Sequence, residues 1–132
     1  MIIAFHHFRT LEDLEVVVID ADGSRATRVT RQAGEDSFPA WSPDGELILY
    51  SRGDADLYTI RPDGTVRRRL TRHPAVEAFP SWSPDGRRIA FASDRGRDAL
   101  DFQVYVMDAG RPRAHRVTRG RASHFSAAWQ PR

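Results

Sequence analysis

The sequence predicts an all-β fold of repeated four-stranded antiparallel units, and three repeated motifs predict it. The octapeptide Phe79-Pro80-Ser81-Trp82-Ser83-Pro84-Asp85-Gly86 has a second copy 41 residues earlier, Phe38-Pro39-Ala40-Trp41-Ser42-Pro43-Asp44-Gly45. The motif Val29-Thr30-Arg31 returns as Leu70-Thr71-Arg72 and Val117-Thr118-Arg119, and Trp41, Trp82 and Trp129 each lie 11 residues after its threonine. Between these, Val16-Val17-Val18-Ile19-Asp20-Ala21-Asp22-Gly23 matches Leu57-Tyr58-Thr59-Ile60-Arg61-Pro62-Asp63-Gly64 and then Val104-Tyr105-Val106-Met107-Asp108-Ala109-Gly110. The repeats are therefore 41 and 47 residues long.

Ser-Pro-Asp-Gly is a turn: serine suits its first position, proline presets φ at the second, and glycine accepts the left-handed conformation that closes a hairpin. Trp thus ends one strand (A), and a second (B) follows as Glu46 to Ser51 or Arg87 to Ala92, both apolar and β-prone. The Val/Tyr-rich run is strand C, closed by Asp-Gly or Ala-Gly, and strand D carries the Thr-Arg motif. In chain order this gives twelve strands: B-C-D over about 1–31, A-B-C-D over about 38–72 and again over about 79–119, and a closing A over about 125–132. No helical apolar period emerges; Leu11 to Glu15 is one turn at most, in a B-to-C loop. Four strands every 40 to 45 residues is the period of a β-propeller blade. One chain would hold three blades.

Composition bounds the function classes. The 132 residues form one domain, 40% hydrophobic, with no cysteine, so disulfides and thiolate metal sites are excluded. No apolar run is long enough to span a bilayer, and the first residues lack the basic and apolar regions of a secretory signal, so the chain reads as soluble and cytoplasmic as given. All 20 basic residues are arginine, which reads as codon bias. They cluster around the D strands, where charge on an outer edge blocks aggregation; nucleic acid is not expected as a partner, because no stacking platform accompanies them.

Trp-Ser-Pro-Asp-Gly, then Ile-Ala-Phe-Ala-Ser-Asp-Arg, Val-Tyr-Val-Met-Asp and Val-Thr-Arg, together resemble the TolB-type, WD-like propeller repeat across essentially the whole chain. Blade one departs from it with His6-His7 and Val17, and the last copy keeps Trp129-x-Pro131 without Asp-Gly. The resemblance implies a six-bladed ring used as a binding platform, in periplasmic or enzyme-linked settings, but names no ligand.

Three blades do not close a ring, since natural rings have 4 to 8. Aligning Phe5 with Tyr50 and Phe91 puts the first repeat's Trp ahead of Met1, and Trp129-Gln130-Pro131-Arg132 runs into that same turn. The expectation is a homodimer in which strand A of each copy completes blade one of the other, with a nine-bladed trimer as the alternative.

Residue roles follow from the blade. Trp41, Trp82 and Trp129 are expected between neighbouring blades, Asp44, Gly45, Asp85 and Gly86 in turns, and Phe5, Tyr50 and Phe91 in the core. The separations Phe5 to Val16, Tyr50 to Leu57 and Phe91 to Val104 place B-to-C insertions of 4 and 6 residues in blades one and three. The loops Arg9 to Glu15, Gly53 to Asp56 and Arg95 to Asp101 would share a face with the entries to the A strands. A ligand-binding channel mouth on that face would comprise Glu35, Asp36, Glu77, His124, His6, Arg52 and Asp94, with Glu77, Asp36 and His124 expected to be exposed. No Gly-x-Ser-x-Gly elbow, cysteine nucleophile or His-Glu-x-x-His helix is present. His6-His7 and His124 alone could meet near the channel, with at most one of the adjacent pair joining, since strand neighbours point oppositely. No catalytic residue, metal ligand or cofactor is assigned. The leading reading is a non-catalytic platform for a protein or peptide. The alternatives are a channel-mouth small-ligand or metal-dependent enzyme site, and an assembly-only fragment or engineered unit.

Overall fold

The computed structural model describes residues 1–10, 13–53, 56–96 and 101–131. Among them lie eleven strands: β1 (Ile2–Thr10), β2 (Asp13–Asp20), β3 (Thr27–Arg28), β4 (Asp36–Trp41), β5 (Ile48–Arg52), β6 (Asp56–Ile60), β7 (Arg68–Arg69), β8 (Glu77–Trp82), β9 (Arg88–Ser93), β10 (Gln103–Asp108) and β11 (Ala114–Arg116). They form three antiparallel sheets, β1-β2-β3, β4-β5-β6-β7 and β8-β9-β10-β11, each pairing in chain order. No helix among the described residues is long and apolar enough to cross a membrane.

The turns form for the reasons their residues suggest. In blade two Gly45 N donates to Ser42 O at 2.9 Å, the Ser42 hydroxyl donates to Asp44 Oδ1 at 2.6 Å, and Leu47 N donates back to Ser42 Oγ at 2.9 Å. Blade three repeats this with Gly86, Ser83, Asp85 and Arg88. The Ser42 hydroxyl, then the Glu46 amide, hold the Asp44 carboxyl below its ordinary range. The C-to-D hairpins turn on Gly23 and Gly64, both at φ +84°. A Cβ on Gly23 would meet nothing, whereas one on Gly64 would lie 2.8 Å from the backbone oxygen of Val29 in blade one. Gly23→Ala is therefore expected to cost about 1–2 kcal/mol from the left-handed backbone alone. Gly64→Ala should cost clearly more, because the blade joint must also shift; equal losses in paired urea melts would refute that contact.

Burial follows the two-residue period of the strands. Ile48 and Tyr50 of β5 pack with Val16, Val18, Val29 and Ile60, joining blades one and two, and Trp41 closes that cluster. Leu49, on the other face of β5, packs with Leu57, Ile89, Phe91, Tyr105 and Met107, joining blades two and three, and Trp82 closes that one. Each fully buried large side chain contributes about 1.5–3 kcal/mol. The tryptophans thus stand in the blade joints.

Both complete blades carry a bulge in their first strand. The β4–β5 register shifts between Ser37 and Ala40, and the β8–β9 register between Ala78 and Ser81. Phe38 and Phe79 sit there at φ 53° and 52°, each followed by a proline that has no N–H for the ladder.

Four expectations need correction. Residues 125–129 do not form a twelfth strand, because no strand among the described residues pairs with them. Even so, Ser126 keeps the bulge conformation of Phe38 and Phe79, at φ 51°. Phe5 is not core: it is 36% exposed, because β1 is an edge strand with no blade packed on that side. The blade-one insertion lengthens β1 to Thr10 and starts β2 at Asp13, so Arg9 and Asp13 to Glu15 are strand rather than loop residues, while Leu11 and Glu12 lie outside the described residues. The outer strands end before Val-Thr-Arg, and blades two and three open two residues earlier than expected, at Asp36 and Glu77. Residues 97–100 of the blade-three insertion, with Asp54 and Ala55, also fall outside the described residues.

Candidate functional site at the inner strand ends

The threonine of the Val-Thr-Arg motif sets the geometry of each inner strand end. Thr30, Thr71 and Thr118 accept hydrogen bonds through Oγ1 from the amides of Val16, Leu57 and Val104, at 3.0, 2.9 and 3.0 Å. Past β7 the Thr71 hydroxyl is bonded to the Glu77 carboxylate at the start of the next blade. In blade three the Thr118 hydroxyl donates to Gln103 Oε1 at 2.7 Å.

Carboxylates and arginines alternate across the blades from here. In blade two Asp36 on β4 stands opposite Arg52 on β5, which stands opposite Asp56 on β6, and Arg69 on β7 binds Asp56. The Arg52 Nη1 to Asp36 Oδ1 distance is 3.3 Å. Burial raises the Asp36 carboxyl above its ordinary range, with Arg52 pulling it back down. The same buried carboxylate helps push the neighbouring Tyr50 hydroxyl up to about 12, behind burial as the larger cause. In blade three Ser93 stands where blade two has Arg52, and Arg95 binds Glu77 instead, its guanidinium lying 5.2 Å from the Phe91 ring centre and 4.9 Å from that of Tyr105.

The seven residues selected from the sequence do lie at these strand ends, but Asp36, Glu77 and His124 are not exposed as expected. Asp36 and Glu77 are 0% and 1% exposed, because each fills the joint between a strand end and an arginine. Arg52 is spent on Asp36 and on the Ala33 carbonyl. Asp94 Oδ1 accepts from Val76 N at 2.8 Å, and the Glu35 carbonyl accepts from Gly53 N at 2.8 Å while its side chain is exposed. His6 Nδ1 accepts from Phe38 N at 3.2 Å, tying β1 to β4. His124 is half-buried and donates its amide to Phe102 O at 2.7 Å. Among the described residues no three His, Asp or Glu gather to hold a metal ion.

The rings beside these ion pairs escaped the sequence reading as a group. His6 touches Phe38 at 5.4 Å between centres, Phe38 touches Phe79 at 4.1 Å, Phe79 touches Phe125 at 5.9 Å, and Phe125 touches Phe102 at 5.1 Å. This file crosses all three blades, and its exposed member is Phe125, at 50%. The recurrence of Phe-Pro at 38 and 79 was its signal, since the bulge at each phenylalanine sets both rings at one height.

The sequence profile described as TolB beta propeller domain matches residues 3–132. The chain belongs to the TolB β-propeller family. A structure from Agrobacterium tumefaciens assigned as TolB is similar to it with TM-score 0.76 and 27% identity, over 87% of this chain and 44% of that one. TolB from Acinetobacter baumannii is similar in fold, with TM-score 0.75 and 24% identity over 89% of this chain and 30% of that one. An oligogalacturonate lyase in complex with manganese reaches TM-score 0.66 and 27% identity, over 89% and 33%. This TolB-family chain thus spans less than half the length of each of these proteins. No curated protein matches its sequence.

Proposed function

We propose that the protein is a non-catalytic TolB-like scaffold that closes a six-bladed ring with a second copy of itself and holds a protein or peptide partner on the inner loop face. The observation that carries the assembly is the exposure of β1. Ile3 and Phe5, 49% and 36% exposed, occupy the places of Ile48 and Tyr50, which are fully buried against the preceding blade. Residues 125–129 supply the other half of a joint. Trp129 Nε1 donates to Ser81 O at 3.2 Å and the Ser81 hydroxyl donates to Ala127 O at 2.8 Å, so this segment lies along β8 with the bulge conformation of a first strand and, among the described residues, no second strand paired with it. Two copies related by a two-fold axis satisfy both edges at once. The aromatic file supports the binding role, because the half-buried rings of Phe38, Phe79 and Phe102 lie along one file beside fixed ion pairs, an arrangement that suits extended peptide.

Light scattering coupled to size exclusion should give a mass near twice 15.0 kDa. Removing residues 125–132 should leave a monomer. A folded full chain of single mass overturns the assembly. Peptides selected from a displayed library against the dimer should lose binding on Phe102→Ser, a ring of the file outside the seam segment, with the dimer mass unchanged; peptides indifferent to that change, or none selected at all, overturn the binding role.

A further inference from the structure

The two observed pairings of first and second strands fix the register of the seam. Asp36 stands opposite Arg52 and Trp41 opposite Ile48; Glu77 stands opposite Ser93 and Trp82 opposite Ile89. Trp129 shares the place of Trp41 and Trp82, and His124, five residues before it, shares the place of Asp36 and Glu77. On β1, His7 shares the place of Arg52, because His7 faces Glu15 on β2 as Arg52 faces Asp56 on β6. Gly53 N donates to Glu35 O at 2.8 Å beside the Asp36–Arg52 pair. That marks the pair as the narrow, non-hydrogen-bonded kind, whose opposed Cβ atoms are about 4.5–5.5 Å apart.

We propose that ring closure sets His124 of one copy directly opposite His7 of the partner subunit, and that this cross-copy histidine pair makes the ring open on acidification. The inference rests on the two-copy ring proposed above. In blade two the row reads carboxylate, arginine, carboxylate, arginine, and in blade three Arg95 supplies the charge for Glu77. At the seam the row reads His124, His7, Glu15, Arg28, so imidazoles stand where blade two has its fixed ion pair. Imidazoles alone among ordinary side chains change charge between about pH 5 and 8. Neutral, one ring can donate to the other; doubly charged, they repel at close range.

The neighbouring groups do not absorb that charge. His7 faces Glu15, but that carboxylate is held by Arg28 at 2.9 Å and lies 3.6 Å from Arg9, which also reaches Asp13. On the His124 side its amide is held by Phe102 O, and Asp101, next to Phe102, is bound to the Gln103 amide, with Arg121 on its own segment; Glu77, which holds the same place in blade three, is bound to Arg95 and Thr71. The carboxylates named here are already engaged. A ring holds two such seams, so acid acts on both together.

Sedimentation equilibrium at pH 8 and pH 5.5 tests this. The dimer dissociation constant is expected to rise at least tenfold on acidification. His7→Arg combined with His124→Asp, which copies blade two, should remove that dependence. His7→Cys with His124→Cys, in a chain free of other cysteine, should link two copies through two disulfides, while either cysteine alone should not. A dimer whose dissociation constant is the same at both pH values, or whose cysteine pair stays reduced under oxidant, overturns the histidine pair and leaves the ring standing. A monomer at both pH values overturns the ring and the pair with it.

Discussion

Replacing Glu77 by alanine is expected to cost about 3–5 kcal/mol, the loss that follows when one member of a buried ion pair is removed and the other stays behind. The Glu77 carboxylate is fully buried, bound to Arg95 and to the Thr71 hydroxyl. Arg95 cannot swing out cheaply, because its guanidinium lies over Phe91 and Tyr105 and its side chain is only 15% exposed. The variant therefore leaves a desolvated cation facing a void, and Thr71 keeps only the longer bond to Asp56 Oδ1, at 3.4 Å. Against a stability of about 5–15 kcal/mol for a typical domain, this brings the chain near its unfolding threshold. Glu77→Gln keeps an acceptor and the volume, and should lose less. Urea denaturation of both variants measures the difference; a loss below about 1 kcal/mol for the alanine variant would mean that the pair behaves as an exposed one.

Phe91→Ala should be as damaging for a different reason. Phe91 is fully buried at the joint of blades two and three, stacked on Tyr105 at 6.0 Å and lying among Leu49, Leu57, Ile89 and Met107. Truncating a core phenylalanine costs about 3–5 kcal/mol, the lost transfer energy plus the cavity that its neighbours cannot fill. Phe5 occupies the same place in blade one without a blade packed on it. Phe5→Ala should therefore change the unfolding of dilute, dissociated chain by under about 1 kcal/mol, while weakening the proposed dimer. Denaturation at two protein concentrations separates these effects. A large loss at the lower concentration would show that Phe5 is packed within its own chain.

The repeat was legible because its punctuation is chemical: Ser-Pro-Asp-Gly and Asp-Gly can do little but turn, and their 41-residue spacing places every strand between them. The joint tryptophans could be read for the same reason, as one bulky ring per period. Burial at the site could not. Asp36 and Glu77 look like loop carboxylates, and only the cross-strand partner, 16 or 18 residues away, turns them into interior ions. Arg95 shows the difficulty well. It pairs with Glu77 because Ser93 leaves the equivalent of Arg52 empty, a compensation visible only once the register is known. The threonine of Val-Thr-Arg hid its work similarly, since its amide partner lies 14 residues upstream.

Thr71 and Glu77 are six residues apart, yet they fasten one blade to the next. The clasp between consecutive blades thus belongs to a short stretch of chain, and a duplicated repeat carries its own fastening to whatever precedes it. Gene duplication can lengthen or shorten such an array one unit at a time without waiting for matching changes elsewhere. In the proposed ring, only the point where the circle meets itself would lack a local clasp, and there selection would have the freedom to install something the other joints do not have.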